Sequence, residues 1–295
     1  MPSTASAPLC AGPDPQPRPA SHAVPTLACD THMHICGPES RYPYAADRIY
    51  TPPDALLPAY INLARVLGIE RVVFVQPSIY GTDNAAMLEA MRACPLACRG
   101  VAVIDERTDE RALSELHAAG VRGVRVNIVD TTATHNALPM AVIHALAELV
   151  APFGWHLELL LHVDDFPALD AELADLPVDV VLGHLGYTHR GLACDDPGFV
   201  ALLRLLERGR CWVKLTGPYR LTDAPLPYAP VDAFAAALLR AAPERLLWGS
   251  DWPHVMLSGT MPNDGALLDL FFEWVAEPQT RRSILVDNPA ALYGF

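Results

Sequence analysis

"ALPMAVIHALAELVAPFGWHLELLLH" (137–162) carries the rhythm from which the fold is read. Its first part, 137–154, repeats apolar residues at helical spacing and stops at a glycine. Its second part, 155–162, is an apolar run of strand length that ends on a histidine. Only the turn Phe153-Gly154 separates the two. Working outward, apolar, often β-branched runs recur at 26–32, 71–76, 99–104, 123–128, 179–184, 211–216 and 245–251. Amphipathic stretches at 54–68, 83–94, 109–120 and 196–209 lie between them. Strands alternating with helices imply parallel βαβ units. Eight such units imply a (β/α)8 barrel, a TIM barrel, rather than an open doubly wound sheet. The Gly-rich phosphate turn that often follows the first strand of an open sheet is missing here.

The connections have a direction. Helix-to-strand turns are tight ("GIE", "GVR", "FG", "GR"), whereas the strand-to-helix loops at 35–53, 217–230 and 252–264 are long. In such barrels the chemistry sits at the C-terminal ends of the strands and in the loops that follow. One barrel domain is expected over residues 26–295. Residues 1–25 contain seven prolines among Ala, Ser and Gly and lack the basic start and apolar core of a secretory signal. They are expected to be a disordered tail.

Of the 295 residues, 51% are hydrophobic, enough for a large core, and the net charge is −13 with no Lys/Arg run. A basic footprint for nucleic acid is therefore lacking, and no uninterrupted apolar stretch has the length of a membrane span. An anionic small molecule would have to be held by local arginines against the overall field. Seven cysteines, an odd number at irregular spacing without a C-x-x-C pair, support neither a disulfide framework nor a zinc ribbon. A reducing, cytoplasmic setting fits this usage. Composition leaves a homo-oligomer open.

The strand ends collect polar residues. "CDTHMHICG" (29–37) places His32 and His34 two apart, so that in a strand they face one side. The second strand gives Gln76 and Ser78, the fourth Arg125, the fifth His162, the sixth His184 and the eighth Asp251 and His254, while Arg220 and Tyr50 lie in long loops. Each alone has an ordinary structural explanation in packing, capping or a salt bridge. As a set, four imidazoles and a carboxylate meet at one mouth. They can act in two ways. His32, His34, His162, His184 and Asp251 form a ligand set for a single Zn2+ or Mn2+ with a position open to water. Alternatively, the imidazoles donate hydrogen bonds to a developing oxyanion and Asp251 is the general base, with no obligatory cofactor. Arg125 and Arg220 suit a carboxylate. Glu158, which shares parity with His162, is expected to pair with Arg125.

"DTHMH", "VQPSIYGTDN", "GVRGVRVN", "GHLG", "WGSDWPH" and "VDNPAALYGF" fall in order at these strands. From about residue 27 to the C-terminus they resemble the amidohydrolase superfamily, in the branch of 2-pyrone-4,6-dicarboxylate lactonase and related sugar-lactone enzymes. The resemblance implies a (β/α)8 barrel that hydrolyses lactones, without a metal in the pyrone-dicarboxylate member and with zinc in other relatives. It implies that His32, His34 and His184 polarise the lactone carbonyl. Asp251 would activate water, with His254 in the same motif. Arg125 and Arg220 would grip substrate carboxylates, and Tyr50 and Ser78 would contact substrate. Gln76, from its place at the strand end alone, is expected to orient substrate oxygens with Ser78. The chain departs from the pyrone-dicarboxylate pattern at Asp130 and Thr131, where a further cation is common, at Leu160 in place of a tyrosine and at Tyr187 in place of an arginine. Fewer cations favour a sugar-acid lactone with one carboxylate.

The expected activity is hydrolysis of a small carboxylated lactone. A sugar-acid lactone isomerase of the galactarolactone type, a zinc-dependent decarboxylase of the same superfamily and a non-catalytic ligand-binding barrel are the rival readings. Retention of Asp251 favours hydrolysis.

Overall fold

The computed structural model describes residues 7–129, 137–257 and 259–295. Asp130 and Thr131, two of the departures noted above, lie outside the described residues. The strands are β1 (Cys29–Met33), β2 (Arg71–Val75), β3 (Ala97–Ala102), β4 (Val121–Asn127), β5 (His156–Leu160), β6 (Val180–Leu182), β7 (Cys211–Leu215) and β8 (Leu246–Trp248). They form one sheet in chain order, each parallel to the next. The surrounding helices are α1 (Leu57–Leu67), α2 (Ala85–Ala93), α3 (Glu110–Ala118), α4 (Met140–Val150), α5 (Leu169–Glu172), α6 (Pro197–Glu207), α7 (Asp232–Ala241), α8 (Asp264–Trp274), α9 (Pro278–Arg282) and α10 (Asn288–Tyr293). This is the expected TIM barrel, and every expected strand overlaps an observed one.

Local chemistry sets the helix ends. The Asp109 side chain accepts from Ala112 N at the start of α3, and the Asp196 side chain accepts from Gly198 N and Phe199 N at the start of α6. Gly68 ends α1 with φ +77°, a conformation that favours glycine.

β6 and β8 are only three residues long, shorter than their apolar runs. His184 and Asp251, expected as the last strand residues, therefore lie in the turns beyond them. The turn after β8 also brings the sheet round on itself. Asp251 N donates to His32 O (2.8 Å) and His34 N donates to Trp252 O (2.8 Å). Gly249 permits this approach, because a Cβ there would stand 2.7 Å from the His32 Cβ. The residues that draw β8 against β1 are thus the residues of the candidate site or their neighbours.

Inside the barrel, Cys29, Val73, Val75, Val101, Val181, Trp212 and Leu247 pack with Tyr293 of α10. Above them the interior turns polar, with His156, Glu158 and Lys214 all buried. Cys29 packs in this interior cluster, and the His32 ring meets Glu158 and Lys214 there, although three residues separate them. Strict alternation would set them on opposite faces, and the register shift between Asp30 and Met33 reconciles them.

Among its described residues, the proline-rich N-terminal segment has no helix. From Ala7 onward it is nevertheless held against the barrel. Cys10 N donates to Thr51 O (2.9 Å), Thr51 N donates to Pro8 O (2.8 Å), and Arg18 pairs with Asp269 of α8 (2.8 Å). Proline-rich composition removes regular elements but does not prevent such tethers. Among the described residues, no helix is long and apolar enough to cross a membrane.

Candidate active site

Asp251 is the centre of the mouth. Its backbone is left-handed (φ +64°), a conformation that costs a non-glycine residue on the order of 1–3 kcal/mol and tends to persist at functional sites. Its two oxygens differ. Oδ2 accepts from Tyr219 OH (2.7 Å) and from Arg220 Nε (2.9 Å) and Nη2 (2.7 Å). Oδ1 is buried with no hydrogen-bond partner and lies 3.6 Å from His32 Nε2 and 3.8 Å from His34 Nε2. Burial alone would raise this carboxyl, but Arg220 and the three imidazoles outweigh it and hold Asp251 well below the usual carboxylate range.

The imidazoles of His32 and His34 approach Oδ1, and that of His184 packs beside the His32 ring. The His32 ring lies edge-on to His34 (centroids 4.9 Å apart) and to His184 (5.3 Å). His34 Nδ1 is 2.7 Å from Val75 O, which can only accept, so Nδ1 carries the proton and Nε2 presents a lone pair to the cavity. Burial is the largest influence on all three rings and keeps each below the ordinary histidine value, well below for His34 and His184. His184 is seated by Gly217 (φ +58°), where an added Cβ would stand 2.9 Å from His184 Nδ1.

A cavity of about 60 Å3 opens above them, lined by His34, Tyr50, Ser78, Arg125, His184, Arg220 and Asp251 together with Leu160, Tyr187 and Val255. Both expected arginines are therefore at the mouth. Arg125 Nη1 donates to Gln76 O (3.0 Å), while its buried Nε has no partner. Leu160 and Tyr187, two of the departures noted in the sequence, line this cavity.

Three expected residues sit elsewhere. His254 is fully buried behind the mouth, with Nδ1 2.8 Å from Tyr219 OH and Nε2 3.1 Å from Asp264. Burial opposes its charge, but Asp264 raises its pKa above the ordinary value. Gln76 turns its Nε2 to Asp83 O (2.7 Å), away from the cavity. His162 lies beyond the end of β5, half-buried, with Nδ1 2.5 Å from Tyr187 O and its ring stacked on His189 at 4.0 Å. It belongs to a separate group with Asp164 and His189 and does not join the ligand-like group of His32, His34 and Asp251. Parity along β5 could not predict this, because the strand ends at Leu160.

The expected pairing of Glu158 with Arg125 is corrected. The two are cross-strand neighbours, but the Arg125 guanidinium turns toward β2, and Glu158 Oε2 instead meets Lys214 Nζ across the barrel at 2.6 Å. Burial would raise Glu158, yet Lys214 holds it well below its usual value. Lys214, fully buried, and Tyr219 are the two residues that sequence reading missed. Lys214 had a signal, as the one charged residue in the apolar run "CWVKLT" at the same parity as the interior Trp212. Tyr219 lies in a single 3-10 turn within the loop after β7 and had none.

The donor atoms of His32, His34 and Asp251 lie within 4.8 Å of one another, close enough to hold a divalent ion. His34 Nε2 and Asp251 Oδ1 both offer lone pairs. His32 Nε2 does so only if its proton sits on Nδ1.

An amidohydrolase family model matches residues 29–295. The chain is 35% identical to the 4-sulfomuconolactone hydrolase of Rhizobium radiobacter, over 98% of this chain and 97% of that protein. It is 34% identical to the 2-pyrone-4,6-dicarboxylate hydrolase of Comamonas testosteroni, over 92% of this chain and 91% of that protein. Among solved structures it is similar to a probable 2-pyrone-4,6-dicarboxylic acid hydrolase of Acinetobacter baumannii with citric acid bound, with a TM-score of 0.80 and 28% identity over 92% of this chain and all of that one. The family match spans the whole barrel, and the chain belongs to the amidohydrolase family.

Proposed function

We propose that the protein adds water to the ring of a small anionic lactone. The observation that carries this reading is the half-engaged carboxylate. Asp251 Oδ1, without a donor of its own, faces imidazole nitrogens at the floor of a cavity walled by two arginines. Asp251 takes a proton from water as the water oxygen bonds to the lactone carbonyl carbon. The ring C–O bond then breaks, and the leaving oxygen recovers the proton. A carboxylic acid and a hydroxyl result, and the acid releases its proton to solvent. His32 and His184 stabilise the tetrahedral oxyanion by hydrogen bonds. Arg125, with its buried unpaired Nε, and Arg220 orient the anionic group, and Ser78 and Tyr50 contact the substrate from the cavity wall. His254 supports Tyr219 rather than touching substrate, and Gln76 holds Arg125 through its carbonyl. The lactone substrates named for the relatives carry sulfonate or carboxylate groups, which suits two arginines at one mouth. The barrel acts as one domain over residues 26–295, and seven free cysteines suit a reducing, cytoplasmic setting.

A panel of carboxylated, sulfonated and neutral lactones, followed by NMR, tests this. Open-chain acid should appear directly from at least one anionic lactone, with kcat/KM on the order of 10^4 M-1 s-1 or more. Appearance of a second lactone before any acid would instead identify an isomerase, and release of CO2 would identify a decarboxylase.

A further inference from the structure

Lys214 is an ammonium inside a barrel, and its surroundings are specific. Nζ lies 2.6 Å from Glu158 Oε2, 2.8 Å from Thr31 O and 3.1 Å from His32 Nδ1. An ammonium has three protons and accepts nothing. Three partners stand around it, and two of them, a carboxylate and a carbonyl, can only accept. The third proton is satisfied if His32 Nδ1 also accepts. A proton on Nδ1 would face that third N–H directly, and a fully buried donor would be left without a partner. Glu158 Oε1 approaches the same nitrogen to 3.2 Å and is the competing partner.

We infer that Lys214 is a positioning residue that holds His32 with its proton on Nε2. His32 then presents a hydrogen-bond donor to the cavity, where His34, tied to Val75 O, presents a lone pair. The two histidines of "DTHMH" are thus set in opposite tautomers by what stands behind them, an ammonium for one and a carbonyl for the other. This deepens the lactone-opening reading and rests on it for its purpose, since an Nε2–H is what a developing oxyanion requires. It also disfavours His32 as a metal ligand, because the nitrogen facing His34 and Asp251 carries a proton. Removing Lys214 hands Nδ1 to Glu158 Oε1, moves the proton there and leaves three lone pairs facing one point.

The full chain labelled with 15N-histidine, without substrate, gives the test through its long-range 1H–15N correlation spectrum, with His32 assigned from its loss in His32→Gln. A protonated Nε2 and bare Nδ1 at His32 are expected, and the reverse pattern overturns the proposal. In Lys214→Met the proton should move to Nδ1, and the affinity for Zn2+, measured by competition with a chromophoric chelator, should rise at least tenfold. An unchanged tautomer in that variant overturns the role of Lys214. If Lys214→Met does not fold, Lys214→Arg keeps a buried donor and should keep the wild-type pattern, and a switch there also counts against the proposal. Because the tautomer is read without substrate, failure of every lactone in the panel would remove the proposed reaction and leave this result standing.

Discussion

Arg220 places both Nε and Nη2 on Oδ2 of Asp251, at 2.9 and 2.7 Å, and leaves Oδ1 to the histidines. The cation suited to a substrate carboxylate is thereby also the strongest restraint on the proposed base. A carboxylate with three donors on one oxygen is a weak base, and in the proposed reaction an arriving anion that draws Arg220 toward itself would strengthen it. Arg220→Met should raise KM by about 10- to 100-fold, the value of a lost charge-assisted pair. It should also change the pH profile. The pKa of Asp251 is held down and the histidines are kept neutral by burial, so in the wild type the acid limb of kcat/KM should lie below the ordinary histidine value near 6.5. With Arg220 gone, the Asp251 pKa moves up and the acid limb moves with it. A wild-type limb centred near 6.5, or a limb that does not move in the variant, would contradict this account.

Asp251→Asn keeps the shape of the side chain and removes its basicity. Loss of a positioned base typically costs about 10²–10⁴ in rate, and kcat should fall by that factor. Binding should not weaken. Arg220 loses its anionic partner in this variant and becomes freer to hold the substrate, so the Kd of a non-hydrolysed dicarboxylate should stay equal or fall, as read by calorimetry. Near wild-type turnover would show that Asp251 is not the base.

Dialysis against a strong chelator should leave kcat/KM within about twofold of the starting value if His32 donates from Nε2, because the oxyanion is then held by hydrogen bonds. Metal analysis of the same sample makes the comparison quantitative. Activity that disappears on chelation and returns with one equivalent of Zn2+ would assign the work to a metal and require the Nδ1–H tautomer of His32.

How much of this was legible in the sequence follows from which signals are periodic. The βα alternation is a repeating signal, and it located all eight strands because parallel barrel strands are buried on both faces and read as apolar runs. Strand-end residues were placed to within a turn, which was enough to bring His32, His34, His184 and Asp251 together. His162 was misplaced because the apolar run outlasts the strand, and side-chain direction past Leu160 depends on the turn rather than on alternation. The Glu158 partner was misread because cross-strand adjacency fixes Cα positions, while a long Arg125 side chain is free to reach β2 instead. Which loop residue donates to Asp251, Tyr219, depends on tertiary placement alone.

Asp30, in the first motif, is a structural counterpart to Asp251 and yields a stability prediction of opposite sign. Its carboxylate accepts from Ser250 N (2.9 Å), Ser250 Oγ (2.6 Å), His32 N (3.1 Å) and Tyr60 OH (3.0 Å), joining β1 to α1 and to the turn after β8. Burial outweighs these four bonds and raises its pKa from 3.8 to about 6. A raised folded-state value means that the native state binds this proton more tightly than the unfolded chain does. The corresponding stability is fully present below pH 3.8 and is lost as pH rises through about 6. Asp30→Asn removes that dependence while preserving shape, and its two hydroxyl partners, Ser250 and Tyr60, can turn to accept from the new amide. The stability deficit of the variant relative to wild type should therefore be larger at pH 4 than at pH 7, by on the order of 1–3 kcal/mol. Asp30→Ala, which strands four donors, should be less stable than Asp30→Asn by about 3–5 kcal/mol at either pH. Urea unfolding of the three proteins at the two pH values measures both differences, and a constant gap between wild type and Asp30→Asn would mean that Asp30 titrates alike in the folded and unfolded chains.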